Sequence, residues 1–316
     1  MTSIPSGRTL LFAGMAGVIL LPMPLLLPPY YLIELCYVLV LSIGCLGLNL
    51  LLGTTGLLSL GHAAYFGAGA YTGGFLFTFF DVASLEVYLL SGMAAAAALS
   101  AVFGGLCIRA TRIHFTILTL AFAQMFHSLF ITGIVFRPAG GVGKGLFLLG
   151  GGGLYIPRLA ILGTEVAPHL FIPALYYVIL VAFFGSACLL WQIGHSPFGT
   201  ALRAIRDNDT RAEFIGIRVR QYRWYAFIIS GIFTGLAGGL YGQLDRQVTP
   251  EQLHWVFSAK LVLATVLGGT RHFLGPVVGA LGCHAHRRRA YLPGRVGRWN
   301  GRRHQQPEQT PETLEA

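Results

Sequence analysis

The sequence predicts an all-α, polytopic membrane protein, a helix bundle of about eight spans or broken spans. Three observations carry that prediction. Of 316 residues, 54% are hydrophobic and only 11% charged, against about 25% charged in soluble domains. Several apolar stretches reach the roughly 20 residues that a hydrocarbon core requires. One of them, Gly47–Gly74 (GLNLLLGTTGLLSLGHAAYFGAGAYTGG), repeats glycine at Gly47, Gly53, Gly56, Gly61, Gly67, Gly69, Gly73 and Gly74. A lipid-facing helix has no use for so many, because each costs roughly 1 kcal/mol relative to alanine. Such a density fits close backbone packing or a helix broken inside the membrane. Asn49, Ser59 and His62 lie in the same run, and polar groups at membrane depth need partners or a water-filled cavity. Any one of these glycines fits a small-residue packing face. The run as a whole reads as a discontinuous element lining a path through the membrane.

The elements follow in order. Met1–Arg8 leads into an apolar run without a signal-peptide cleavage site. Leu10–Leu27 is the first span, interrupted by Pro22 and Pro24 and closed by Pro28 and Pro29. Tyr30–Leu52 is the second, with Glu34 near its outer end and Asn49 near its inner end. The glycine-rich run returns to Phe80, and Asp81–Glu86 is a polar turn. Val87–Ile108 has good helix propensity around its run of alanines, and Arg109 and Arg112 stop it. His114–Val135 spans next. Phe136–Pro168 holds too much glycine and proline for a span and reads as an extracytoplasmic loop. Its GGVGKG at Gly140–Gly145 lacks the spacing of a phosphate loop, and no strand precedes it. Phe171–Ile193 spans, Gly194–Arg223 is polar, and Trp224–Gln243 spans again with Gly231, Gly235, Gly238 and Gly239. Trp255–Gly268 opens a last span that continues into GTRHFLGPVVGALG.

Lysine and arginine place the loops, because cytoplasmic loops carry the excess. With the N-terminus inside, the inner loops hold Arg8, Arg109, Arg112, Arg203, Arg206, Arg211, Arg218, Arg220 and Arg223, and the outer loops only Arg137, Lys144, Arg158 and Arg246. The net charge of +10 concentrates in Arg203–Arg223 and in the last 33 residues. That distribution points to a cytoplasmic face, not to nucleic acid. The five cysteines are scattered with no CxxC pair, so they read as small buried hydrophobes and not as a metal or disulfide framework.

Residues 1–283 form the membrane domain on this reading, with 194–223 its cytoplasmic loop. Residues 284–316 form a basic cytoplasmic tail expected to lack fixed structure. After Cys283 the apolar character stops abruptly where a helix should continue. The end therefore reads as truncated or frame-shifted in preference to a simple basic tail.

Within the polar loop, SPFGTALRAIRDNDTRAEFIGIRVRQYRWYAF, Ser196 and Pro197 can start a helix. Ala201–Ile215 has helical composition, Asp207-Asn208-Asp209 interrupts or re-caps it, and Gly216 is a natural C-cap. A short helix of mixed charge held between two spans offers a docking surface for a soluble partner. The commoner fate of such loops is only to fix topology.

Three blocks now carry a resemblance: GLNLLLGTTGLLSLGHAAYFGAGAY, SPFGTALRAIRDNDTRAEFIGIRVRQYRWYAFIISGIFTGLAGGLYG and VLATVLGGTRHFLGPVVGA. In that order, from Leu46 to Ala280, the chain resembles a permease subunit of the branched-chain amino-acid ABC importers, of the LivM type, with urea importer permeases as near relatives. The resemblance implies an ABC-importer fold and makes Ala201, Arg203, Ala204, Arg206, Asp207, Asn208, Glu213 and Gly216 the coupling loop that docks on the ATPase. It sets the glycine-rich block and GGTRHFLGP near the translocation path. The polar path candidates are Asn49, Ser59, His62 and Thr119, with Gly53, Gly61 and Gly67 beside them. The partners implied are two ATPases, a sister permease and a periplasmic binding protein in the inner membrane, ATP and magnesium being used by the ATPases. This chain binds no cofactor or metal of its own on that reading. Two features depart from the pattern: Arg211 stands where a small residue is usual, and the apolar spans expected after Ala280 are missing.

Two other classes fit less well. An ion-coupled secondary transporter predicts intramembrane carboxylates, and only Glu34 falls within a span. A membrane enzyme needs a clustered acid, base or metal site. His114 and His127 are well separated on one span with no carboxylate beside them.

Overall fold

A computed structural model describes residues 17–80, 84–110, 112–132, 153–160, 163–164, 167–270 and 272–291. Proline sets the start. An apolar stretch, Gly17–Leu26, turns at Leu21 and Pro22 before α1 (Met23–Leu26). Pro28 and Pro29 then admit a new helix, since a first-turn proline has no useful N–H to lose. Helix α2 (Pro29–Thr55) runs 27 residues, about 40 Å at 1.5 Å per residue. It ends at Gly56, whose φ of +70° is the left-handed conformation that glycine adopts without steric cost. Residues 57–61 are not helical, and α3 (His62–Phe80) starts afresh. The discontinuity expected in the glycine-rich run therefore falls at residues 56–61.

Helices α4 (Leu85–Cys107), α5 (Arg112–Thr132) and α6 (Phe171–His195) follow. A short helical pair, α7 (Pro197–Asp207) and α8 (Asp209–Phe214), leads into α9 (Val219–Asp245). A single 3₁₀ turn, Pro250–Leu253, precedes α10 (Trp255–Gly268) and α11 (Gly275–Tyr291). Among the described residues, α2, α4, α5, α6 and α9 are long and apolar enough to cross a membrane.

Helix α9 sits at the centre, packed on α2, α3 and α4, while α6 lies against α2 and α10 pairs with α11. Of the most apolar window, 78% is buried in α2 and 67% in α9, but only 22% in α5. Helix α5 thus leaves most of its apolar window exposed. Apolar burial does not drive helices together in lipid, so close backbone packing has to. Glycine permits it here. A Cβ on Gly69 would lie 2.0 Å from the Gly235 carbonyl oxygen, and one on Gly238 would lie 1.9 Å from that of Phe66. Both partners are backbone and cannot rotate away. Overpacking typically costs about 1–3 kcal/mol. Gly238→Leu should therefore lower the yield of monodisperse protein in detergent several-fold. Gly185→Leu, with no atom within 4 Å of the added Cβ, should not. Equal size-exclusion profiles would refute the packing assignment.

Three features differ from expectation. Helix α9 begins at Val219, five residues ahead of Trp224, so the end of the polar loop is the first turn of the span. The connection between α5 and α6 is stitched to the α9–α10 connection by β1 (Leu154–Tyr155) pairing antiparallel with β2 (Gln247–Val248). Two-residue strands leave no periodicity to read. The part of that loop at 133–152, with Gly140–Gly145, lies outside the described residues. The boundary expected at Cys283 falls inside α11, which the turn at Gly269 sends back along α2. His284 there pairs with Glu34, at the end of the bundle opposite α7. Residues 292–316 lie outside the described residues.

Candidate functional site

The break between α2 and α3 is organised by His62, which is fully buried. Its Nε2 lies 2.7 Å from Ser230 Oγ and its Nδ1 3.1 Å from Ser59 Oγ. Ser230 donates to the Gly47 carbonyl at 2.7 Å, so it accepts from Nε2–H, and Ser59 donates to Nδ1. The backbone of the break is held as well. Gly61 N donates to Ser59 Oγ, Leu60 N to Thr119 Oγ1 and Ala63 N to Ser258 Oγ, the last at 2.7 Å. Thr116 Oγ1 donates to Leu58 O at 2.8 Å. Buried polar groups require such partners. Ser59, Gly61, His62 and Thr119 are thus brought together, and their hydrogen bonds tie α2, α5, α9 and α10 to the break. None of them has a side-chain polar atom left over for a passing solute in this conformation.

Asn49 and Gly53 form a separate group one turn before the break. Asn49 is buried, and its Oδ1 has no hydrogen-bond partner. A Cβ on Gly53 would lie 2.8 Å from that oxygen and 2.9 Å from the Thr270 carbonyl, so the α10–α11 turn closes over this pair. Gly67 stands apart from both groups. It lets Leu253 of the 3₁₀ turn reach α3, and an added Cβ would lie 2.0 Å from the leucine side chain.

The polar loop folds as its residues direct. Ser196 Oγ accepts from Gly199 N at 3.3 Å, and Asn208 Oδ1 accepts from Arg211 N at 3.0 Å. Both satisfy a first-turn donor that the helix itself leaves open. Gly216 takes φ +87° after α8. Leu202 and Ile205 are fully buried and Ala212 nearly so, which seats α7 and α8 on the bundle. Arg223 pairs with Asp209 at 2.6 Å, fastening α8 to the first turns of α9.

The expected docking residues therefore divide. Arg203, Asp207, Glu213 and Gly216 are exposed, while Ala201 and Ala204 are half-buried. Asn208 is exposed, but its side-chain oxygen is committed to the cap. Arg206 turns inward. Its guanidinium donates to the Gly53 carbonyl, and its stem covers Gly56, where a Cβ would lie 3.2 Å from Arg206 Cγ. It links α7 directly to the end of α2 beside the break.

Sequence reasoning passed over two sets of residues. Ser230 and Ser258 complete the His62 network, yet hydroxyls are common in small-residue membrane helices and nothing local marks them. Phe214 and Ile215 are 85% and 74% exposed at the end of α8. Their signal was available, since they stand as two adjacent large apolar side chains within the polar loop.

Relatives supply a further comparison. The chain is 28% identical over 250 residues to the high-affinity branched-chain amino acid transport system permease protein LivM of Escherichia coli, covering 75% of this chain and 58% of that protein. It thus spans little more than half of that relative's length. The guanosine ABC transporter permease protein NupQ of Bacillus subtilis is 29% identical over 119 residues, 37% of this chain and 36% of its own. The autoinducer 2 import system permease protein LsrC of Yersinia pseudotuberculosis is 32% identical over 148 residues, 44% of this chain and 41% of its own. No solved structure matches the chain. The family model described as branched-chain amino acid transport system / permease component matches residues 30–284, from the first turn of α2 to His284 in α11, and the chain belongs to that family.

Proposed function

We propose that this chain is the membrane-spanning subunit of an ATP-binding-cassette importer, moving branched-chain or similar small amino acids across the inner membrane by alternating access. One observation carries the reading beyond family membership. The α7–α8 pair presents charged and apolar side chains outward, while Arg206 connects its inner face to the α2–α3 break. A soluble ATPase seated on that pair would bear on the broken helix through one side chain. ATP and magnesium belong to the ATPase on this reading, and this chain performs no covalent chemistry.

The α7–α8 end then faces the cytoplasm, as its arginine excess favours, and the N-terminus lies on the same side. A sister permease and a periplasmic binding protein complete the assembly, with lipid around α5. Asn49 and Gly53 are assigned to the path. Ser59, Gly61, His62 and Thr119 build the hinge beside it, and Gly67 lets the 3₁₀ turn approach. A second reading keeps the machine and changes the cargo to urea, an amide or a nucleoside. The similarity to the guanosine permease of Bacillus subtilis supports that breadth.

The test is co-purification of a tagged chain with a candidate ATPase, followed by ATP-dependent uptake into proteoliposomes holding the sister permease and supplied with binding protein. Labelled leucine, urea and guanosine are offered in parallel. Leucine accumulation that stops without ATP is expected. Accumulation of urea or guanosine alone would move the assignment to the second reading. Uptake driven by an ion gradient without ATP would overturn both.

A further inference from the structure

His127, isolated on α5 in the sequence, meets His254 in the fold. The two rings contact edge to face, 4.9 Å between centroids at 73°. They lie where the connection after β2 dips into the bundle: Leu253 reaches Gly67 on α3, and α10 starts two residues later at Trp255. The protonation pattern follows from the hydrogen bonds. His254 Nδ1 accepts from Val256 N at 3.3 Å, so a neutral His254 carries its proton on Nε2. Gln124 Nε2 lies 3.2 Å from His127 Nδ1, and with the amide donating there, His127 also carries Nε2–H. Each of the two contacting rings therefore offers an Nε2–H donor, and His254 is the N-cap of a 14-residue helix, whose dipole favours negative charge. A metal would need an Nε2 lone pair, which this arrangement denies to His254. Acceptors are available as well. Gln124 Oε1 and Gln252 Oε1 are buried without hydrogen-bond partners, and Gln252 is only 6% exposed.

We infer that His127 and His254 form a binding site for the carboxylate of a zwitterionic amino acid in transit, with the ammonium group taken by the buried amide oxygens of Gln124 and Gln252. This rests on the importer reading and names the chemistry by which the membrane subunit itself holds its cargo. The site lies on the side of the break away from α7, so cargo meets it before the hinge. Imidazole N–H groups hold a carboxylate without placing a permanent charge in the membrane, where one would be expensive. Release then needs no ion pair to be broken.

The experiment uses the assembled transporter in nanodiscs, presented with binding protein preloaded with photo-leucine, so that capture from solution is bypassed. Crosslinked peptides are mapped by mass spectrometry, and uptake per ATP hydrolysed is measured with leucine in proteoliposomes. The wild type should label the α5 segment around His127 or the stretch from Pro250 into α10. His127→Leu with His254→Leu should lower labelling and leucine uptake per ATP about tenfold or more, as expected when donors to a charged group are lost. ATPase stimulation by loaded binding protein should persist, which shows that the variant is folded and assembled. His127→Gln with His254→Gln, which keeps an N–H at the same reach, should stay within about threefold of wild type. Labelling elsewhere, or equal losses in the leucine and glutamine variants, would overturn the site while leaving the importer intact. A wild type that takes up no amino acid at all would overturn both.

Discussion

Replacing Phe214 and Ile215 together by aspartate should abolish capture of the ATPase subunit while the permease remains inserted and monodisperse. The two side chains are 85% and 74% exposed, and they sit just before the left-handed turn at Gly216, away from the face that seats α7 and α8. Neither supports the bundle, so their loss should leave the fold intact. Apolar anchors at the centre of an interface typically contribute about 2 kcal/mol or more each, roughly thirtyfold in Kd per anchor. Neighbouring Arg203, Arg211, Glu213 and Arg218 are exposed and would form a polar rim, where single charges matter less. Pull-down from solubilised membranes reads the effect, with Arg203→Ala as the comparison expected to lose little. Full ATPase retention by the double aspartate variant would place the docking surface elsewhere.

Arg206→Met should give the opposite phenotype, an assembled transporter that hydrolyses ATP and moves little. The methionine keeps an apolar stem to lie over Gly56 and removes the guanidinium that donates to the Gly53 carbonyl. That carbonyl is one of the last four of α2, which the helix cannot satisfy itself. A hydrogen bond from a charged donor contributes about 1.5–3 kcal/mol, which corresponds to roughly tenfold to a hundredfold in an equilibrium between states. If that link passes motion of α7 to the break, uptake per ATP should fall by a comparable factor while ATPase retention stays at the wild-type level. Arg206→Lys should fall between the two, because an ammonium can reach a carbonyl but lacks the planar fork. Uptake and hydrolysis falling in parallel, or neither falling, would reduce Arg206 to a helix cap.

Local features of this protein were legible because they depend on neighbours in the chain. Ser196 and Asn208 cap their helices by accepting from N–H groups three residues away, and Gly216 is needed where the backbone turns left-handed. The spans follow from apolar length, and the break at residues 56–61 from glycines that a continuous lipid-facing helix would not keep. Tertiary structure decided the rest, through contacts between residues far apart in sequence. His62 meets Ser230 across 168 positions, Ala63 meets Ser258 across 195, and Arg206 reaches Gly53 across 153. No pattern in the chain says which way an arginine on a short amphipathic helix will turn. The same holds for His127 and His254, which local reading leaves on separate segments and packing brings together. Propensity and capping act within a turn or two and can be read one residue at a time. The partner of a buried polar group is chosen by the packing of whole helices, and that choice is made only when the bundle closes.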